Sequence, residues 1–174
     1  LSGVLKDSGK SAWNVIGQPT LYAQRYFPSG NKLLVWNDGW DGFPAARQRL
    51  NQTLIQNQVK NVVLFGGDVH ENWISYMKAD YDKQDSAILG VEFCGTSLTS
   101  IGEGAKYLDA RLAKNPHFIF AEATKKGYGI AEFTPKALTV SLRVLTNAQN
   151  EDASIETLAK FVVQSYSNKI IRLS

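Results

Sequence analysis

Asp68 and His70 are the residues of this chain best suited to chemistry. They stand in FGGDVHENW (65–73), where an apolar run, VVLF, ends in two glycines. The chain holds two histidines, and His70 is one of them. In extended backbone, residues two apart point to the same side. A strand stopping at Phe65 would therefore present both side chains beyond its carboxyl end, where open α/β sheets place their ligands. Gly66 and Gly67 allow tight backbone geometry and leave room for a ligand. A carboxylate oxygen suits a hard cation, and an imidazole nitrogen suits iron or zinc. Two such metals about 3.5–4 Å apart can activate a water and clamp a phosphate for in-line displacement. The same residues also fit a plainer reading, a capped turn carrying a hydrogen-bonded histidine, and on these residues alone both stand.

Other residues carry paired readings. His117, after Asn115-Pro116, can orient a metal ligand or a loop near phosphate, or can be a buried, hydrogen-bonded histidine; Asn115 is a lesser candidate of the same kind. Trp40 and Asp41 can belong to a loop near the site, or can form a helix start capped by Asp41 and braced by the indole. Trp73 can wall the pocket or fill a buried strand. Cys94, the one cysteine, excludes an intramolecular disulfide and reads as a small buried hydrophobe. Ser97 and Ser100 lack a nucleophile elbow and a spare His-Asp pair, so turn hydrogen bonding accounts for them better.

Several elements must position these residues. Strands are expected at 12–17, 20–26, 32–37 and 59–65, the last buried and valine-rich. The turn-rich 38–44 precedes a helix from Pro44 to about Gln58, with Leu50, Leu54 and Ile55 as its apolar stripe. Residues 72–79 alternate like a half-buried strand, and 87–95, 117–123 and 127–145 also read as strands, the last a hairpin turning at Thr134-Pro135-Lys136. Residues 100–116 hold a short helical pattern. A last helix is expected at about 154–165, from Ile155, Leu158, Phe161 and Val162. Strands outnumber helices, which predicts a mixed α/β (α+β) domain over residues 1–174 rather than a regular doubly wound one.

Composition narrows the function classes. Apolar content of 44% and charged content of 20% are ordinary for a soluble globular protein. No run has the length of a membrane span. The opening residues, LSGVLKDSGK, lack the hydrophobic segment of a signal peptide. The net charge of +3 comes from scattered basic residues without interleaved aromatics, which argues against a nucleic-acid-binding scaffold.

Taken in order, several motifs resemble the C-terminal part of the PhoD-like (alkaline phosphatase D) family of metallophosphoesterases. AWNVIGQPTLYA is similar to the family's Trp-x-x-x-Gly segment, and NDGWDGFPAAR, with Asp38, Trp40, Asp41, Gly42 and Arg47, to its Asp-x-Trp-Asp-Gly-Tyr-Pro-x-x-Arg element. NVVLFGGDVHENW resembles its Gly-Asp-x-His strand end, and VEFCGTSLTS its Glu-Phe-x-x-x-Ser-x-x-Ser segment. NPHFIF and GYGIAEFTP resemble elements near its end. Together these cover most of residues 12–146.

The resemblance implies the C-terminal half of a four-layer αββα sandwich with its site at the strand ends. It implies hydrolysis of phosphomonoesters and phosphodiesters at alkaline pH, with a ferric ion (Fe3+) and calcium (Ca2+) as cofactors, in a periplasmic or secreted enzyme. Asp68 would bind the calcium-type metal and His70 the iron-type metal, both as catalytic residues. The family's first half carries further ligands, namely an early Cys or Asp, a Gly-Asp-x-x-Asp/Tyr element with a nearby Arg, and an Asn-containing element, and no match to these occurs here. The expectation is a C-terminal portion of a larger catalytic domain, weak or inactive alone, whose partners are a phosphate ester and the N-terminal portion of the same enzyme. The alternative is a non-catalytic accessory domain that keeps the fold.

Overall fold

The computed structural model describes residues 2–5, 8–29 and 32–173. Its elements in chain order are α1 (Ser2–Leu5), β1 (Asn14–Gly17), β2 (Tyr26–Ser29), β3 (Lys32–Val35), α2 (Pro44–Gln56), β4 (Val62–Gly66), β5 (Asn72–Lys78), β6 (Ile88–Cys94), α3 (Leu108–Lys114), β7 (Phe118–Glu122), β8 (Gly127–Phe133), β9 (Ala137–Leu145), β10 (Ile155–Gln164) and β11 (Ile170–Arg172). Strands outnumber helices, and the mixed-sheet α/β architecture read from the sequence is present.

The valine-rich run forms β4 because it is buried on both sides. Val62, Val63 and Leu64 are at most 1% exposed. One sheet has the order β1-β4-β6-β5-β7, with β1, β4 and β6 parallel and β5 antiparallel to its neighbours. A second, antiparallel sheet has the order β11-β10-β9-β8, and β2 pairs with β3 alone. The two large sheets pack face to face. Val63, Ile74, Val91 and Phe93 meet Leu138, Val140, Leu142, Ala159, Phe161 and Val163. On the other face of the first sheet, Leu50 and Leu54 of α2 cover Val62, Leu64 and Met77. The layers run helix, sheet, sheet, in keeping with part of an αββα sandwich.

Four sequence expectations need correction. Residues 155–164 form β10, not a helix. Its register against β9 shifts between Thr157 and Ala159. Leu158 is thus the extra residue of a bulge, and it converts a two-residue period into the apparent helical step from Leu158 to Phe161. Residues 20–25 are irregular, with strand structure only from Tyr26. The amides of Tyr22 and Ala23 find no neighbouring strand and donate instead to the buried Glu92 carboxylate, at 2.6 and 2.9 Å. β5 is buried almost throughout rather than half-buried, because it lies between β6 and β7 with both faces covered. Finally, α2 has Pro44 at its start but no side-chain cap, and Ile55 is half exposed outside the stripe. The Asp41 carboxylate accepts instead from Arg47 Nη1 at 2.6 Å and the Arg25 amide at 2.9 Å.

Candidate metal centre

β4 ends at Gly66 because the chain there crosses the backbone of the 18–20 segment. A Cβ on Gly66 would lie 2.3 Å from the Thr20 carbonyl oxygen. Beyond it the backbone is not extended. Asp68 has φ 69° and His70 φ 58°, both left-handed. Asp and His enter this region more readily than most residues, and non-glycine residues held there concentrate at functional sites. The alternation argued for Asp68-Val69-His70 is therefore corrected: two left-handed residues, not strand pleating, bring both side chains to one cleft. That cleft, of about 290 Å³, is lined by Asp68, His70, Arg25, Trp36, Glu103 and the loop Ile101–Gly102. It lies at the carboxyl ends of β4 and β6.

The surroundings of His70 fix its ring and its backbone. Nδ1 lies 3.1 Å from the Ile101 carbonyl oxygen. A carbonyl can only accept, so Nδ1 donates, and in the neutral ring Nε2 keeps its lone pair for a metal. The His70 carbonyl accepts from Thr96 Oγ1 at 3.0 Å and from Lys126 Nζ at 3.2 Å. Gly102 packs so close that a Cβ there would meet the His70 oxygen at 2.9 Å and Glu71 Cγ at 2.8 Å.

Glu71, fully buried, anchors the floor of the cleft. Its Oε2 accepts from Arg25 Nη1 at 3.3 Å and Trp73 Nε1 at 2.9 Å, and its Oε1 accepts from the Glu103 amide at 3.1 Å. Arg111 Nη1 adds an ion pair to Oε1 at 3.9 Å, and Arg111 Nη2 pairs with Glu103. The Arg25 guanidinium lies 5.0 Å from the centre of the Trp73 ring. Burial lowers the pKa of Arg25, against the opposing pull of Glu71.

The other candidates lie outside the cleft lining. Trp73 is fully buried, tied to Glu71 and packed edge-on against Phe118 at 4.8 Å. Trp40 donates to Gln18 Oε1 at 2.8 Å and packs on Tyr22, beside the Asp41–Arg47 ion pair. Asn115 clamps β2 to α3: its side chain accepts from the Tyr26 amide and donates to the Tyr26 and Arg111 carbonyls. His117 precedes the end of β7 that pairs with Ser75, roughly 15 Å along the sheet from the His70 end at about 3.4 Å per residue. Its Nε2 donates to the Gln24 carbonyl at 2.7 Å, and burial lowers its pKa to about 4. Cys94 is buried, its thiol pushed up by burial and donating to the Gly67 carbonyl. Ser97 donates within its turn, to the Ser100 carbonyl.

Sequence reasoning missed Arg25, Trp36, Glu103 and Lys126. A signal existed for Arg25, a charge beside Gln24 inside a stretch, LYAQRYF, that is otherwise apolar and aromatic. The others depend on contacts between distant loops.

Asp68 offers an oxygen, a donor type suited to a hard cation, and the Nε2 of His70 an imidazole nitrogen, suited to iron or zinc, one ligand each. Among the described residues, no group of three or more His, Cys, Asp or Glu side chains is placed to hold a metal ion.

The chain is similar to known proteins along most of its length. A PhoD-like phosphatase family profile matches residues 1–142. Alkaline phosphatase D of Bacillus subtilis (strain 168) is 35% identical over 170 residues, covering 96% of this chain and 29% of that protein. A solved structure described as the structure of PhoD matches with a TM-score of 0.89 and 34% identity, covering 99% of this chain and 34% of that one. The chain thus spans about a third of the length of the relatives it matches, and it belongs to the PhoD-like phosphatase family.

Proposed function

We propose that this chain supplies part of the site of a metal-dependent phosphatase and phosphodiesterase, active on phosphomonoesters and phosphodiesters at alkaline pH. The observation that carries the reading is the shared cleft of Asp68 and His70 at the strand ends, with the Ile101 carbonyl holding the His70 ring so that Nε2 is the ligating atom. Asp68 would hold Ca2+ and His70 Fe3+. When bound, such a pair activates a water and neutralises phosphate charge for in-line displacement.

The chain's own residues do the rest. The left-handed backbone at Asp68 and His70 aims both ligands into the cleft, and the Glu71 cluster holds that backbone from below. The remaining ligands come from the N-terminal portion of the same enzyme, a reading supported by the chain's 29% share of its relative. On family likeness we assign the protein to the periplasm or the secreted fraction. Among the described residues no helix is long and apolar enough to cross a membrane.

The test is hydrolysis of p-nitrophenyl phosphate and bis-p-nitrophenyl phosphate at alkaline pH by the full-length protein, with Asp68→Ala and His70→Ala in parallel. Replacing residues that merely support a ligand costs ~10–100-fold, so loss of a ligand should cost about 100-fold or more in kcat/KM. Retained turnover in both variants would overturn the assignment. Efficient turnover by this chain alone would overturn the part-site reading.

A further inference from the structure

Arg25 is a cation in the lining of the Asp68–His70 cleft. The charged side chains that line this cleft are Arg25, Asp68 and Glu103, with His70 beside them. Glu103 is paired with Arg111, and Asp68 is committed to a metal in the reading above. Arg25 is therefore the charge left to meet an anion. Its side chain is 3% exposed. Nη1 donates to Glu71 at 3.3 Å, which uses one N–H of the five that a guanidinium carries. Nε is buried and, among the described residues, has no acceptor. A buried donor without a partner calls for an explanation, and a ligand is one. Aromatic rings take the faces of the group, with Phe27 at 4.6 Å and Trp73 at 5.0 Å from ring centre to Cζ. Rings on the faces leave the N–H edge for a hydrogen-bonding partner.

The backbone that carries Arg25 is fixed residue by residue. Buried side chains stand in for a neighbouring strand. Glu92 accepts from the Tyr22 and Ala23 amides, and Arg47 Nη1 donates to the Tyr22 carbonyl at 3.3 Å. His117 Nε2 donates to the Gln24 carbonyl, and Asp41 accepts from the Arg25 amide. Asn115 brackets Tyr26, accepting from its amide at 2.8 Å and donating to its carbonyl at 2.9 Å. Asp41, Asn115 and His117, site candidates by sequence, thus meet in the segment that presents Arg25. Stabilising charge in a transition state requires donors fixed in advance, and this segment supplies that fixity.

We propose that Arg25 contacts the substrate: its N–H edge donates to a non-bridging oxygen of the phosphoryl group held at Asp68 and His70, a role that rests on the phosphoesterase reading of the cleft. The contact favours monoesters. At alkaline pH a phosphomonoester is a dianion and a phosphodiester a monoanion. A guanidinium beside the phosphoryl group gains more from the dianion.

Paired substrates test this in the full-length protein: p-nitrophenyl phosphate against bis-p-nitrophenyl phosphate, a diester with the same leaving group. In Arg25→Gln both kcat/KM values should fall, and the monoester's should fall further, on the order of tenfold relative to the diester's. Arg25→Lys keeps the charge and should restore part of the monoester preference. If Arg25 only braces Glu71, both substrates lose equally in both variants, and that outcome overturns the proposal.

Binding of inorganic phosphate, read by calorimetry, reports the contact without turnover. Phosphate should bind Arg25→Gln on the order of tenfold more weakly than wild type, with Arg25→Lys between them. Arg25→Lys, the milder change, carries both comparisons if Arg25→Gln does not fold. Arg25-dependent phosphate binding without turnover of either ester would support the contact and sink the phosphoesterase reading. Turnover with phosphate binding and the ester ratio unchanged in the variants would sink the contact and leave that reading standing.

Discussion

Glu71 shows what one residue does for this site. It follows His70 directly, is fully buried, and meets two guanidinium groups, an indole N–H and a backbone amide. Glu71→Ala would strand Arg25 in the interior and leave Arg111 only its pair with Glu103, and breaking a buried pair from one side costs ~3–5 kcal/mol. Urea denaturation should show that loss, with a smaller one in Glu71→Gln, which keeps the shape and part of the hydrogen bonding. Two other buried groups govern the pH response in opposite senses. Burial lowers His117 from 6.5 to about 4, so its stabilisation is whole above pH 6.5 and is lost as pH falls toward 4. Burial raises Glu92 from 4.5 to about 7 against three hydrogen bonds that favour its ionised form, so its stabilisation is whole below pH 4.5 and is lost as pH rises through 7. Over the shared window the slopes oppose, and the wild-type urea midpoint should change little. In His117→Gln the midpoint should fall as pH rises from 4.5 to 7, and in Glu92→Gln it should fall as pH drops from 6.5 to 4. A parallel pH response in all three proteins would contradict the assignment.

At the scale of elements, the sequence was most legible where local and tertiary forces agree. β4 reads as a buried strand because its valines favour extended backbone and both of its faces are covered. The hairpin turn at Thr134–Lys136 reads from its proline, and the Thr134 hydroxyl fixes it by accepting the Ala137 amide at 2.9 Å. β10 misled because a bulge imitates a helical step, and only the edge offered by β9 decides the matter. Asp68 and His70 were legible as candidates by type and spacing, and they do share one cleft. Their left-handed backbone was not, since it depends on contacts from Thr96, Ile101 and Gly102, about thirty residues away in sequence. If Phe161 is a sheet residue binding two layers, its removal should be costly. It is fully buried and packs on Phe93 and Phe120 of the opposite sheet. Phe161→Ala should cost ~3–5 kcal/mol by urea denaturation. A loss under about 1 kcal/mol, as for an exposed position, would contradict the strand assignment.

For the whole molecule, the question is how much of a metal site these residues hold. Calcium takes 6–8 oxygen ligands and binds more tightly as charged ligands are added, while this chain brings two carboxylates to the cleft that His70 shares, Asp68 and Glu103, and Glu103 is paired with Arg111. An ion that binds the folded state stabilises it by RT ln(1 + [L]/Kd), about 2.7 kcal/mol at a hundredfold excess over Kd and almost nothing far below Kd. This partial set keeps the chain in the second regime, and the complete set of ligands puts the full-length protein in the first. At about 1 mM calcium the Tm of this chain should therefore move by well under ~1 °C, whereas that of the full-length protein, about three times as long, should rise by ~2 °C. Asp68→Ala should remove most of the rise, and Lys126→Ala, which alters no ligand atom, should keep most of it. Equal shifts in the chain and the full-length protein would show that the described residues hold the ion by themselves. No shift in either would mean that calcium is not the ion Asp68 serves.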